Sequence, residues 1–170
     1  MEYLTGKREE GCIFCKMPAE RARLKENFIL HLGTLAFAIL NRFPYHTGHI
    51  MVIPLRHTSD FIEVTPEENA EMSLLLQASM KALKQVYKPE GFNLGMNLGH
   101  SAGAGIREHL HFHMVPRWVG DTNFFPLIAR TRSTPEILSD TYDRLRPVFR
   151  EFENEGELVA GGHIETERKT

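Results

Sequence analysis

His109-Leu110-His111-Phe112-His113-Met114-Val115 places three histidines at alternate positions, each followed by an apolar residue. A β-strand sends successive side chains to opposite faces, so the pattern predicts a strand with three imidazoles on one face. The intervening apolar side chains would then face a hydrophobic core. An ordinary half-buried strand carries Thr, Lys or Glu on its polar face, so the row of imidazoles indicates metal binding or phosphate chemistry.

The segment before this strand, Gly99 to Gly105, is rich in small residues. Small residues let backbone N–H groups close around phosphate oxygens. A neutral imidazole is a good nucleophile near pH 7, since its ordinary pKa is about 6.5. Its attack on phosphorus would form a reactive phosphoryl-imidazole. The loop and the histidines together favour phosphate chemistry.

The composition is that of an ordinary globular domain. The chain has 170 residues, of which 42% are hydrophobic and 25% are charged. That length is sufficient for one domain with a hydrophobic core. We expect a single domain over residues 1–170, with its core at about 12–150 and flexible segments at 1–11 and 154–170.

The charge balance and the hydropathy argue against two classes of partner. A formal net charge of −2 provides no positive field that would recruit nucleic acid or an anionic membrane. A phosphate-rich ligand would therefore be held by local groups. The chain does not open with a secretory signal pattern, and no apolar run approaches transmembrane length. We expect a cytoplasmic protein with neither nucleic acid nor membrane as a partner.

The chain contains two cysteines, both in Cys12-Ile-Phe-Cys15. Two cysteines cannot form a disulfide framework. Two intervening residues suit a metal knuckle or a redox pair better than a structural disulfide. At this level both roles stay open.

The remaining pattern predicts an α+β fold. A strong helix start at Thr65-Pro66-Glu67 opens a long helix that extends to about Tyr87, and Thr134-Pro135-Glu136 opens a C-terminal helix. Short apolar runs bounded by turn residues predict five strands in short antiparallel connections. These runs are 28–31, 35–40, 49–54, 92–97 and the histidine segment that ends at Pro116.

The histidine segment resembles the motif of the histidine triad (HIT) superfamily of nucleotide hydrolases and transferases. The likeness continues through Asn41-Arg-Phe-Pro, Gly48 to Pro54 and Asn97-Leu-Gly99, and it covers roughly residues 12–118. Other segments are most similar to the bacterial diadenosine tetraphosphate phosphorylase branch; these are 91–99, 102–105, 116–124 and 136–145. The resemblance implies a HIT-like fold.

The resemblance implies a different role for each histidine. His111 matches the nucleophile that attacks the α-phosphorus and carries the nucleotidyl group. His113 matches the histidine that contacts the phosphate and helps the leaving group to depart. His49 matches a histidine, at the start of the third strand, that also faces the phosphate site.

The resemblance also implies substrate contacts. Asn97 matches an asparagine beside the phosphate, and Asn41 lies where relatives contact the nucleoside. We assign phosphate contacts to the loop residues Gly103, Ala104 and Gly105. Trp118 could stack on a base, contact another subunit or simply pack, and these roles stay open.

The loop departs from the family pattern in one respect. Many relatives carry a Ser, Thr or Gln side chain there as a donor to the leaving phosphate, where this chain has Ala104 and Gly105. Backbone groups, Ser101 or Arg107 could replace that donor.

The resemblance further implies a zinc site. Related transferases and several bacterial triad proteins bind zinc through a Cys-x-x-Cys pair, a histidine after the third strand and the first triad histidine. Here these residues are Cys12, Cys15, His57 and His109. Four protein ligands leave no open coordination position, which is typical of a structural site. No organic cofactor is expected.

The leading functional hypothesis is phosphorolysis of diadenosine tetraphosphate to ATP and ADP, with inorganic phosphate as the acceptor. Water as the acceptor would make the protein a nucleotide hydrolase or phosphoramidase, and the residue types do not separate the two. A nucleotide-binding protein without turnover is a third hypothesis, against which the intact triad argues. Relatives are commonly dimers, so we expect a homodimer or a higher homo-oligomer.

Overall fold

In the part of the chain that the structure describes, five antiparallel strands form one sheet with helices on both of its faces. The computed structural model describes residues 11–121 and 136–161. The predicted α+β class, with one long helix and a C-terminal helix, is confirmed. Numbered along the chain, the strands lie in the order β1-β2-β3-β5-β4. The strands are β1 (Ile29–Leu32), β2 (Ala36–Leu40), β3 (Ile50–Pro54), β4 (Gly91–Gly95) and β5 (Phe112–Arg117). The helices are α1 (Ile13–Ala19), α2 (Pro66–Tyr87) and α3 (Leu138–Asn154), with 3₁₀ turns at Arg21–Arg23 and Phe61–Glu63.

The alternation of side chains along the strands divides the core into two clusters. On one face of the sheet, Val52 and Met114 pack in the cluster that contains the apolar faces of α2 and α3. On the other face, Ile39 and Met51 pack in a cluster with Phe14 of α1. In β5, His113 lies between Phe112 and Met114, which both pack in the first cluster, so it projects toward the face that α1 covers.

The long helix α2 begins and ends where the sequence predicts. The Thr65 hydroxyl accepts a hydrogen bond from the Glu68 N–H, and the Glu68 carboxylate accepts one from the Thr65 N–H, which makes a capping box. The helix ends before Lys88, whose φ of 48° is left-handed. In the described part of the chain, no helix has the length and apolar character needed to cross a membrane.

The strand that carries the histidines is shorter than predicted. It begins at Phe112, so the expectation of one regular strand from His109 onward is wrong for its first three residues. The partner strand β3 ends at Pro54, which has no N–H to donate to a longer ladder. The Leu110 N–H donates instead to the Thr58 carbonyl, at 2.7 Å. The first histidine therefore lies beside the loop that follows β3.

Two of the predictions fall wholly or partly outside the described residues. The predicted start of the C-terminal helix, 134–136, falls mostly there, and α3 itself begins at Leu138. Residues 1–10 and 162–170, which we expect to be flexible, also lie outside the described residues, so their flexibility stays a prediction.

The described segment after α3 packs against the sheet. Leu158 is buried in the cluster that holds α2 and α3, and the Gly161 N–H donates to the Leu32 carbonyl at 2.8 Å. A bond from Arg21 to the Gly161 carbonyl adds a second tie, at 3.2 Å. This part of the chain is therefore held on β1.

Candidate active site and metal centre

A cavity of about 320 Å³ opens on the face of the sheet that α1 covers. The segments that line it come from the end of β2, the loop after β4 and the start of β5. The strand order brings these distant segments together. Six of the predicted site residues line the cavity, namely Asn41, Asn97, Gly103, Gly105, His111 and His113.

The sequence did not predict the apolar wall of the cavity. It includes Ile13, Phe14 and Met17 of α1, together with Ile39 and Met51. Ile39 pairs with Met51, and Met51 pairs with the third histidine of the motif, so these side chains share a face of the sheet. Strand register could have identified Ile39 and Met51. Nothing in the sequence of α1 marks that helix as a cavity wall.

His111 lines the cavity and is held by a backbone hydrogen bond. Its Nδ1 lies 2.8 Å from the His109 carbonyl oxygen, which can only accept, so Nδ1 carries the proton and Nε2 keeps its lone pair. Burial lowers the pKa of His111 below its ordinary value, so the ring is neutral at pH 7. Phe14 packs edge-on against it, with ring centroids 5.2 Å apart. A neutral imidazole held in this way is suited to nucleophilic attack.

His113 and His49 form a buried pair beside His111. The His49 Nε2 lies 3.0 Å from the His113 Nδ1, and the rings of His111 and His113 have centroids 4.7 Å apart. Burial, and then the neighbouring histidines, lower the pKa of His49 to about 3 and that of His113 to about 4. His113 lines the cavity, whereas His49 lies outside the lining and reaches it through His113.

Two predicted substrate contacts, Trp118 and Ala104, also lie outside the cavity lining. Trp118 follows the end of β5, and an extended chain separates it from His113 by roughly 15 Å. Its ring faces His46, with centroids 6.2 Å apart, and its backbone N–H donates to the Asp121 carboxylate at 3.0 Å. Of the three roles left open for Trp118, packing has the most support from these contacts.

The glycine-rich loop offers its backbone to the cavity. Gly103 and Gly105 line it, and Gly103 has a φ of 80°, which residues with a side chain rarely adopt. Ser101 and Arg107, the alternative donors to the leaving group, are exposed and lie outside the lining. Arg42, which the sequence analysis missed, lines the cavity and brings a guanidinium that can pair with phosphate.

Cys12, Cys15, His57 and His109 form a second site next to the cavity. One ligand atom from each lies within 4.8 Å of all the others. The Cys12 Sγ is 3.3 Å from the His109 Nδ1, and the Cys15 Sγ is 3.3 Å from the His57 Nδ1. Bonds of about 2.0–2.3 Å to a tetrahedral zinc ion put neighbouring ligands roughly 3.5 Å apart. The four predicted residues are therefore close enough to hold one metal ion.

The protonation of these groups also fits a cation. The His109 Nε2 lies 2.9 Å from the Pro54 carbonyl oxygen, so Nε2 carries the proton and Nδ1 is left as a ligand atom. Burial, and then Cys12, raise the pKa of Cys15 to about 11, so this thiol does not ionise at pH 7 without a positive charge. A bound metal ion supplies such a charge.

The buried histidine pair predicts a loss of stability in acid. Because His49 and His113 have pKa values of about 3 and about 4 when folded, against about 6.5 when unfolded, the unfolded chain binds more protons below pH 6.5. Their contribution is fully present above pH 6.5 and is lost as the pH falls toward these folded values. We expect the free energy of unfolding to fall by up to about 1.4 kcal/mol per pH unit for each group.

Urea unfolding at pH 7.5 and at pH 5 measures this effect. In His49→Gln and in His113→Gln, the free energy of unfolding should depend less steeply on pH. In His100→Gln, which replaces an exposed histidine, the dependence should be that of the unmodified chain. The comparison is between slopes, because the metal ligands bind protons in every variant. Equal slopes in all three variants would contradict the expected neutral pair.

Comparison with known proteins places this site in context. A family model described as HIT domain matches residues 23–119. The AP-4-A phosphorylase of Mycobacterium tuberculosis is 44% identical over 117 residues, which span 69% of this chain and 60% of that protein. The chain therefore matches less than two thirds of the length of that relative.

Two further proteins extend the comparison. A bis(5'-adenosyl)-triphosphatase of Dictyostelium discoideum is 26% identical over 137 residues, which span 77% of this chain and 91% of that protein. The crystal structure of a Zn-bound histidine triad family protein from Mycobacterium smegmatis is 27% identical, with a TM-score of 0.68, and covers 85% of this chain and 97% of that chain. The same fold is thus present in a solved structure.

Proposed function

Because the chain belongs to the HIT domain family, we propose that it is an enzyme that cleaves diadenosine tetraphosphate, or a related dinucleoside polyphosphate, through a nucleotidyl group carried on His111. The environment of His111 carries the proposal, since the ring lines the cavity and its Nδ1 is bound to the His109 carbonyl. The similarity to an AP-4-A phosphorylase and to a bis(5'-adenosyl)-triphosphatase supports the substrate class.

In the first step, the Nε2 of His111 attacks the α-phosphorus. A P–N bond forms while the P–O bond to the polyphosphate breaks, and the leaving group is ATP when the substrate is diadenosine tetraphosphate. The ring of His113, 4.7 Å away between centroids, is close enough to donate to the departing oxygen. Backbone groups of Gly103 and Gly105 and the Arg42 guanidinium hold the phosphates, in place of a positive overall charge.

In the second step, an acceptor oxygen attacks the same phosphorus and the P–N bond breaks, which returns His111 to its neutral form. Inorganic phosphate as the acceptor yields ADP, and water yields AMP. Phosphate attacks as an anion and needs no base, whereas water must lose a proton. The greater similarity to the phosphorylase favours phosphate.

The apolar wall of the cavity suits a nucleobase. Ligand cavities are typically lined by apolar side chains with a few polar groups that set orientation. Here Phe14, Met17, Ile39 and Met51 provide the apolar surface, and the cavity volume of about 320 Å³ lies at the lower end of the usual range for small ligands. We assign the base to this wall and the phosphates to the histidines.

We assign zinc to the four-residue metal centre. Two sulfur and two imidazole ligands with no open position are typical of structural zinc, and a solved relative is described as Zn-bound. Cys12, Cys15, His57 and His109 would hold the ion. The zinc ion would fix the N-terminal segment on the sheet, and the reaction would use His49, His111 and His113 instead of the metal ligands.

The assembly and the location of the protein are also proposals. The outer edge of β4 has no strand partner in the described residues, and Leu94 and Leu98 near it are about half exposed. An edge of this kind supports a homodimer, in agreement with the family resemblance. The pair of unbridged thiols at Cys12 and Cys15 suits the reducing cytoplasm.

Product analysis tests the acceptor. With diadenosine tetraphosphate and inorganic phosphate we expect ATP and ADP in equal amounts. Without phosphate, the rate should fall at least about tenfold, because the nucleotidyl group then lacks its acceptor. Chromatographic separation of the nucleotides at equal zinc content measures both rates.

Other products would revise the proposal in defined ways. AMP and ATP formed at the same rate with or without phosphate would make the protein a hydrolase. Tight binding of the dinucleotide without any product would make it a non-catalytic nucleotide-binding protein. Either result overturns phosphorolysis.

A further inference from the structure

We propose that Asn41 is a positioning residue which presents a donor, rather than an acceptor, to His49. Together with the Tyr45 N–H, it keeps the proton of His49 on Nε2 and thereby keeps the proton of His113 on the nitrogen that faces away from His49, toward the cavity. The structural part stands on hydrogen bonds alone. Its consequence for catalysis rests on the proposed function, because it concerns the donor to the departing phosphate oxygen.

The orientation of the Asn41 amide is fixed by its neighbours. Its Oδ1 accepts a hydrogen bond from the Phe43 N–H at 2.9 Å, so its Nδ2 is the end that lies 3.3 Å from the His49 Nδ1. The Asn41 N–H also donates to the His49 carbonyl at 2.9 Å. The amide thus presents a donor to the buried imidazole.

A second donor points at the same nitrogen. The Tyr45 N–H donates to the His49 Nδ1 at 3.2 Å, and the Tyr45 ring stacks on the His49 ring with centroids 4.8 Å apart. Two donors leave no place for a proton on this Nδ1, and the side chain is 1% exposed, so water does not supply an acceptor. His49 therefore carries its proton on Nε2.

The His49 Nε2–H then decides the state of His113. The two nitrogens lie 3.0 Å apart, so the His113 Nδ1 must accept and its own proton must be on Nε2. Burial lowers the pKa of both rings, so both are neutral near pH 7 and only the tautomer is at issue. The Asn41 amide thus acts on the cavity through two imidazoles.

An exchange of one atom should reverse the chain of hydrogen bonds. In Asn41→Asp, an oxygen replaces Nδ2 and accepts from His49, while the other oxygen still accepts the Phe43 N–H. The His49 proton then moves to Nδ1, because a charge-assisted bond to the carboxylate is stronger than the bond that Nδ1 accepts from the Tyr45 N–H, and its Nε2 becomes an acceptor. His113 must donate from Nδ1, and the nitrogen that faces the cavity loses its proton.

Asn41→Ala is the matched control. Like Asn41→Asp, it removes the amide donor, but it introduces no new acceptor and leaves the Tyr45 N–H in place. We expect His49 and His113 to keep their tautomers in this variant. The carboxylate of Asn41→Asp also repels the anionic substrate, and this effect on binding appears in KM, so the two variants are compared by kcat at saturating substrate.

The experiment combines spectroscopy with kinetics at pH 8, where the imidazoles are neutral in all three proteins. Imidazole ¹⁵N chemical shifts, assigned with His49→Gln and His113→Gln, should show protonated Nε2 in both rings of the unmodified chain and of Asn41→Ala. They should show protonated Nδ1 in Asn41→Asp. We expect kcat for diadenosine tetraphosphate to be about 100-fold lower in Asn41→Asp than in Asn41→Ala.

The outcomes separate this proposal from the proposed function. Protonated Nδ1 in either ring of the unmodified chain would overturn it without the need for any variant, as would unchanged tautomers in a folded Asn41→Asp. Reversed tautomers with equal kcat in the two variants would overturn the catalytic consequence. If the unmodified chain has no turnover but shows the expected shifts, the proposed function fails while the positioning role stands.

Discussion

Replacement of His111 by alanine should reduce the kcat for diadenosine tetraphosphate by a factor of about 10⁴ or more. The variant lacks the Nε2 lone pair that forms the P–N bond. His113, the other imidazole in the described cavity lining, cannot take its place, because its Nδ1 accepts from His49 and its Nε2, toward the cavity, carries the proton. The apolar wall and Arg42 remain, so we expect the dissociation constant for the dinucleotide to change by less than about tenfold. Rapid-quench product analysis and calorimetric titration measure the two quantities.

The matched control is His100→Ala, which removes an exposed imidazole from the adjoining loop. We expect it to retain the kcat of the unmodified chain. In the absence of phosphate, mass spectrometry of acid-sensitive adducts should detect one adenylyl group on the unmodified chain and on His100→Ala. Its absence from His111→Ala is required, and turnover by that variant within tenfold of the unmodified chain would refute the mechanism.

The local pattern in the sequence was sufficient to predict the main architecture. The alternation of histidines and apolar residues over 109–115 correctly separated the side that carries His111 and His113 from the side that carries Met114. In an extended chain, successive side chains point to opposite faces. The capping residues at Thr65 located α2, since a helix start is a local hydrogen-bonding event. These features depend on neighbours within a few positions along the chain.

The predictions differed from the structure where a segment distant in sequence determines the local conformation. His109 leaves the ladder because Pro54, far away in sequence, has no N–H to donate. The end of β5 carries Trp118 away from the cavity, although the sequence places it close to the motif. Such outcomes depend on strand register and strand length, which a single sequence indicates only weakly.

In the candidate site, too, the features that the sequence did not reveal are contacts between residues from different segments. The metal residues could be named only through the family resemblance, because Cys15 and His57 are separated by a long stretch that reveals no contact between them. The relation of Asn41 to His49 was also hidden, since it depends on the orientation of one amide. Side-chain hydrogen bonds across a fold leave no periodic trace in the sequence.

Loss of the metal should destabilise the whole domain. We expect about one zinc ion per chain, and removal by a chelator should lower the free energy of unfolding by about 4 kcal/mol. In a domain of this size that is a fall of about 10 °C in Tm. Cys15→Ser should show the same lower Tm without a chelator, and no further response to one. Elemental analysis and thermal unfolding measure the two effects.

The control for this variant lies on the same helix. Ala19→Ser adds a hydroxyl at the exposed end of α1, one turn beyond Cys15 and outside the set of metal ligands, and should keep both the zinc and the chelator response. His57→Ser removes a ligand from outside the helix, and we expect it to lower the Tm as Cys15→Ser does. A protein that takes up no zinc after reconstitution, with a Tm that a chelator leaves unchanged, would contradict the metal assignment.

The helix α1 connects the candidate metal centre to the cavity. Cys12 and Cys15 lie at its start, and the same turns carry Phe14, which packs edge-on against His109 and His111 with centroids 5.7 Å and 5.2 Å away. Seven residues are too few for a stable isolated helix, so its position depends on these attachments. We therefore expect zinc removal to weaken dinucleotide binding at least about tenfold at temperatures below Tm. Unchanged binding by the folded, zinc-free chain would show that packing of Phe14 alone holds the cavity wall.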